Sequence, residues 1–289
     1  MGQNGTREAK CIKMINALTV DLEDWYHVCG NGGYAIPSKW KEYENRVAKN
    51  TQKVLEILES YHVKATFFVL GYIAEKEPEI VKTIAKEGHE IATHGHFHQR
   101  IFDLTPEEFE EDLRRSKETL EEIISEPIFG FRAPEWSIRN ETPWALGIMK
   151  KMGLRYDSSM VPLTRMGERH FPVFPQRMET PFGNIIEFPL TTARCLWERL
   201  PYSGGLPLRI APYCFVANNL LSTNKKNQPG MIYIHPWEFS NDNPKIDLPL
   251  RRRLMHYFRI NSTQPKIEGL LKHFKFAPVR EVLNKMRLW

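Results

Sequence analysis

The sequence predicts an α/β fold, an irregular (β/α) barrel of about seven parallel strands, and three observations predict it. Short apolar, β-branched or aromatic runs alternate with helical patterns along the chain, as buried parallel strands crossed by helices do. No glycine-rich dinucleotide fingerprint is present, which disfavours a doubly wound sheet. Five predicted strands end in polar, chemically capable side chains, and parallel barrels collect their chemistry at C-terminal strand ends.

In chain order, residues 15–20, 63–70, 90–93, 128–132, 154–156, 185–189 and 232–235 read as strands. Thr51 to Ser60 carries Val54, Leu55 and Leu58 on one helical face after Val47. Thr105-Pro106-Glu107-Glu108 combines an N-cap, a first-turn proline and an acidic first turn, opening a helix that runs to about Ile124. Glu141-Thr142-Pro143 opens another, ending near Gly153. Residues 160–230, rich in proline and carrying Gly204-Gly205, read as a loop-rich insertion in a barrel spanning 14–240. Residues 241–289 read as a helical extension packed on that barrel.

Composition narrows the class. With 42% hydrophobic and 26% charged residues, the chain is globular, neither disordered nor membrane-embedded. Forty Lys and Arg against 35 Asp and Glu give +5, too mild and scattered an excess to argue for nucleic acid. The run Arg251-Arg252-Arg253 reads as a solvated helix end, with lipid or phosphate contact as the alternative. No segment approaches the ~20 apolar residues of a membrane span, and no secretory signal is visible. Cys11, Cys29, Cys195 and Cys214 form no CxxC and read as structural thiols in a reducing compartment. The expected location is the cytoplasm, with peripheral contact at the inner membrane surface left open.

Two clusters carry the strongest chemistry. The strand from Ile15 ends in Asp21, Glu23 and Asp24, and like charges gathered at a buried strand end need a cation or a shared proton. Alternation puts Asp21 and Glu23 on one face, with Asp24 in the turn. The strand from Glu90 ends in His94-Gly95-His96-Phe97-His98. Histidines four apart on a helical turn face the same way, so His94 and His98 could ligate one ion. His89 and His96 read as packing residues. Imidazole donors suit zinc, with cobalt, nickel or iron as alternatives.

Three further strand ends add polar groups. Arg132, followed by Ala133 and the stiffening Pro134, could hold a carboxylate by a bidentate bond, a structural salt bridge being the plainer alternative. Asp157 follows Tyr156, and His235 ends an apolar strand beside Trp237.

Taken together, Thr19 to Asp24, His94 to His98, Arg132 to Trp136, Asp157 and Ile234-His235 resemble, in order, the motifs of the polysaccharide deacetylase family, also called NodB-homology or carbohydrate esterase 4. The resemblance spans roughly residues 14–240. Val20 to Trp25, His235 to Glu238 and Lys266 to Leu271 look closest to a bacterial branch linked to exopolysaccharide and exosortase gene clusters. It implies a NodB-type barrel and metal-dependent hydrolysis of N-acetyl groups on an amino-sugar glycan, releasing acetate. Asp21 would be the base, His94 and His98 metal ligands, and His235 the acid. Arg132 would orient Asp21 and Asp157 would orient His235, with Trp136 and Trp237 as substrate-binding walls. The family's first motif has two adjacent aspartates, whereas Leu22 follows Asp21 here. The third ligand is then Asp24 or Glu23, and the shorter Asp24, reached through a bulge, is preferred. A metal-independent hydrolase of a small ureide and a non-catalytic glycan-binding protein are the alternatives.

Overall fold

The computed structural model describes residues 14–27, 37–246 and 248–289. Cys11 and Cys29 lie outside them. Eleven strands form among these residues: β1 (Ile15–Leu22), β2 (Thr66–Val69), β3 (Glu90–Thr93), β4 (Gly130–Phe131), β5 (Tyr156–Asp157), β6 (Gln176–Met178), β7 (Ile185–Glu187), β8 (Thr192–Cys195), β9 (Glu198–Pro201), β10 (Met231–Ile234) and β11 (Lys275–Ala277). The main sheet runs β10-β1-β2-β3-β4-β5-β7-β6. Its seven strands from β10 to β7 are all parallel, as the sequence predicts, and only the edge strand β6 is antiparallel. Between β7 and β10 the wall is bridged by Thr191, whose hydroxyl accepts from Met231 N–H at 2.7 Å, and by Ser203, whose carbonyl accepts from Tyr233 N–H.

Alternation along these strands builds two cores. Leu18, Val20 and Leu22 of β1 point outward, with Phe67, Val69, Ile232 and Ile234, into the layer beneath the helices. Ala17 points inward and packs with Phe68, Ala92, Tyr156, Met231 and Tyr233. One end of this interior is plugged by the C-terminal helix Val279–Lys285. There the buried Glu90 accepts from Thr66 Oγ1 (2.5 Å), Tyr156 Oη (3.2 Å) and the backbone N–H of Arg280 (3.1 Å). The segment beyond residue 240 thus adds β11, paired with β1, as well as helices.

Helices form where the sequence places them. The helix Val47–Ser60 buries Val54, Leu55 and Leu58, and Pro106–Ile124 starts on a full capping box between Thr105 and Glu108. Between 160 and 230 the chain is more ordered than a loop-rich insertion. It carries β6, the β8–β9 hairpin and the helices Gly205–Ile210 and Tyr213–Asn224. Cys195 and Cys214 are exposed free thiols and not structural ones, because both fall on solvent-facing positions of that region. Among the described residues no helix is long and apolar enough to cross a membrane.

Candidate metal centre and active site

The inward face of β1 rises from Ala17 through Thr19 to Asp21, and one further step of alternation brings Glu23 to the mouth of the barrel. Glu23 is 7% exposed, and its Oε1 lies 3.0 Å from His94 Nε2 and 2.9 Å from His98 Nε2. The three donor atoms lie within 4.8 Å of one another. His94 donates from Nδ1 to the Arg132 carbonyl at 2.7 Å, so a neutral ring turns its Nε2 lone pair toward Glu23. A lone pair facing a carboxylate oxygen needs a positive charge between or upon them. Two imidazole nitrogens and one carboxylate oxygen suit a divalent cation such as zinc, with positions left open. Burial raises the Glu23 carboxyl, but His98, His235 and His94 outweigh it and hold it well below the usual range.

The loop between the histidines is not the expected helical turn. His94 directly follows β3, Gly95 takes φ 76° and His98 φ 52°, and this left-handed path folds the second ring back to a centroid distance of 5.3 Å. Asp112, from the helix Pro106–Ile124, pins the loop by accepting from the N–H groups of His96 (2.7 Å) and Phe97 (3.1 Å). His96 is wholly buried, its Nε2 3.7 Å from Glu75 Oε1, and His89 Nδ1 accepts from Ala65 N–H, so both pack as the sequence reading holds.

Asp24 is turned away from the histidines. Its Oδ2 accepts from the N–H groups of Arg46 (2.7 Å) and Val47 (3.1 Å), and Oδ1 from Trp25 N–H. The helix Val47–Ser60 has no side-chain cap of its own, and Asp24 supplies the negative charge its N-terminus favours. Against the preference for Asp24 as third ligand, Glu23 is therefore the carboxylate that faces both histidines.

Arg132 lies beneath this rim, buried. It donates from Nη1 to Asp21 Oδ1 (2.5 Å) and Thr19 Oγ1 (2.9 Å), from Nη2 to Ser158 Oγ, and from Nε to the Ser158 carbonyl. Its guanidinium lies 4.0 Å from the Phe68 ring centroid. Asp21 is thus clamped on one oxygen, while its Oδ2 looks toward His235 Nε2 across 4.0 Å.

His235 takes its carboxylate from a different residue than the resemblance implies. Glu238 Oε2 lies 3.2 Å from Nδ1 and also accepts from the His235 backbone N–H at 3.1 Å, closing a capping box over Pro236-Trp237. Burial would lower the imidazole pKa, but Glu23, Glu238 and Asp21 push it up to about 9. Asp157 instead accepts from Ser159 Oγ and pairs across β5–β7 with Glu187. The motif His-x-x-Glu was the available signal for Glu238. The two tryptophans are also corrected. Trp136 is 6% and Trp237 5% exposed. Trp136 packs on Arg132 and Tyr233, and Trp237 is stacked between His235 and His256 at 5.2 and 4.2 Å. Neither offers an open face to a sugar.

A parallel barrel with a His-His-carboxylate triad beside a clamped carboxylate and a carboxylate-backed histidine defines a hydrolytic type of site. Comparison with known proteins specifies it. Residues 40–156 match the polysaccharide deacetylase family, and residues 158–284 match a domain of unknown function, DUF3473. These matches support a polysaccharide deacetylase of the NodB-homology, carbohydrate esterase 4 type. It is 38% identical over 96 residues to a peptidoglycan-N-acetylglucosamine deacetylase of Bacillus cereus, covering 33% of this chain and 35% of that one. It is 41% identical over 75 residues to a chitooligosaccharide deacetylase of Rhizobium leguminosarum bv. trifolii, covering 26% and 34%. The chain thus matches about a third of the length of these relatives. A Mycobacterium smegmatis structure provisionally described as a polysaccharide deacetylase aligns with TM-score 0.64 at 19% identity, over 95% of this chain and 90% of that one. The Puue allantoinase structure aligns equally well, TM-score 0.64 at 12% identity over 97% and 93%. These two likenesses establish the fold alone.

Proposed function

We propose that the protein hydrolyses N-acetyl groups on an amino-sugar glycan, yielding acetate and a free amine, with a divalent cation held by Glu23, His94 and His98. The observation that carries this reading is the convergence of those three donor atoms within 4.8 Å, with Asp21 and His235 4.0 Å apart beside them. Zinc is the expected cation, and an exopolysaccharide the expected substrate setting. When bound, the cation supplies Lewis acidity, polarising the amide carbonyl and lowering the pKa of water toward ~7.

This chain's residues do the rest. Asp21 accepts the proton of the attacking water, and the Arg132 bond to Oδ1 leaves Oδ2 for that task. His235, protonated at Nε2, gives its proton to the departing amine nitrogen as the C–N bond breaks. Glu238 holds the Nδ1 proton and keeps that ring cationic. Acetate release from an N-acetylglucosamine oligomer tests the reading. Asp21→Asn is expected to abolish turnover while metal content by elemental analysis stays unchanged. Turnover retained in that variant overturns the role of Asp21. Full activity after exhaustive chelation overturns the metal-dependent reading in favour of an allantoinase-like amidohydrolase.

A further inference from the structure

Away from the barrel mouth, the helices Gly205–Ile210 and Leu250–Tyr257 enclose an open groove of about 460 Å³. Its lining is apolar apart from Arg251. Leu250 is 68% exposed and Leu254 53%, with Ile210, Met255 and Phe258 close to half exposed. A contiguous apolar patch of this kind on a soluble chain marks a contact surface. The buried Arg209 makes it rigid, donating to the carbonyls of Met255 (2.7 Å), His256 (2.7 Å) and Phe258 (3.1 Å) and so locking one helix to the other.

Charge identifies the occupant. Residues 199–237 contain four Lys and Arg and no Asp or Glu, and residues 248–267 contain five and none. Both groove helices lie inside these acid-free stretches, and Arg251 and Arg253 are exposed beside the leucines. Apolar side chains with Arg251 and Arg253 exposed beside them match an anionic lipid surface, into which the leucines dip while the guanidiniums meet phosphates. A second copy of the chain fits less well, because a two-fold contact would bring like-charged Arg251 groups together.

We propose that this groove is a docking surface for an anionic phospholipid bilayer, and that it holds the active site close to that membrane. The opposite side of the Leu250–Tyr257 helix supports the second part. His256 stacks on Trp237, which stacks on His235, and Arg209 forms a buried ion pair with Glu238 at 3.1 Å. One helix thus separates the lipid-facing leucines from the histidine of the candidate site. A glycan carried at a membrane is then a fitting substrate, although docking itself does not depend on the reaction proposed above.

Flotation with vesicles of phosphatidylcholine, with and without phosphatidylglycerol, tests it. The full chain is expected to float only with the anionic vesicles and to be released by salt. The double variant Leu250→Asp/Leu254→Asp should lose binding by about tenfold or more, and Arg251→Glu should lose part of it. Both should hydrolyse a soluble N-acetylglucosamine oligomer, and melt, as the parent does. No flotation of the parent overturns the proposal, as does undiminished flotation of both variants. A dimer in sedimentation that the double variant dissolves, without vesicle binding, assigns the groove to self-association instead.

Discussion

Glu238 Oε2 sits 3.2 Å from His235 Nδ1, and the two residues are joined a second time through the His235 backbone N–H at 3.1 Å. One carboxylate therefore fixes the orientation of the imidazole, from three positions along the same turn, and joins Glu23 and Asp21 in favouring its charge. A proton shared this way stays on Nδ1, leaving Nε2 free to face Asp21.

This predicts a measurable pH limb. The acid must be protonated, and Glu23, Glu238 and Asp21 push its pKa up, so turnover should fall as pH rises through the pKa of the imidazole, which a cation held by Glu23 would lower. In Glu238→Gln one of the three carboxylates that favour the charged ring is gone. The falling limb should move to lower pH and kcat should drop by ~10²-fold, with KM little changed. Asp157→Asn should leave the limb where it is. A limb unmoved in the Glu238 variant would return the orienting role to another group.

The third metal donor can be separated from its neighbour in the same way. Glu23→Gln is expected to lose stoichiometric metal after dialysis, since its oxygen faces both histidines. Asp24→Ala should keep the metal and instead melt lower, by ~1–2 kcal/mol, because it strips the charge from the N-terminus of the helix Val47–Ser60. Elemental analysis and thermal unfolding of the two proteins read this directly.

What could be read in the sequence follows from the range of the interactions involved. The seven parallel strands were legible because inward and outward cores alternate along each one, as Ala17 and Leu18 do. Asp21, His94, Arg132 and His235 were legible because each ends such a strand. The choice of Glu23 over Asp24 was not, since it depends on where a helix starting more than twenty residues later docks its N-terminus. The partner of Asp157 is set by cross-strand register with Glu187, which no local pattern encodes. Glu238 was within reach of a sequence reading, because a histidine followed by proline and, three positions on, glutamate is a capping arrangement.

The Asp157–Glu187 pair predicts a pH dependence of stability. Burial pushes Asp157 up to about 6 and Glu187 well above its usual value, so the native state keeps protons that the unfolded chain gives up near 3.8 and 4.5. The pair's contribution is complete below about pH 4 and falls as pH rises, the Asp157 part being lost through about 6 and the Glu187 part above its usual range. Glu187→Gln removes one ionisation and leaves Asp157 an amide neighbour. Denaturant titrations across this window should then show a shallower decline than the parent. An equally steep decline would place its origin elsewhere.

Trp237 offers the sharpest contrast between a sugar platform and a packed support. At 5% exposure, between the rings of His235 and His256, it has no free face to offer a glycan. Trp237→Ala should therefore cost ~3–5 kcal/mol of stability, as emptying a buried aromatic site does. It should also lower kcat, since His235 loses the ring that fixes its plane, while KM for a soluble oligomer stays near the parent value. Trp237→Phe should restore most of the stability. A variant that melts normally but shows a many-fold higher KM would instead make Trp237 a substrate contact.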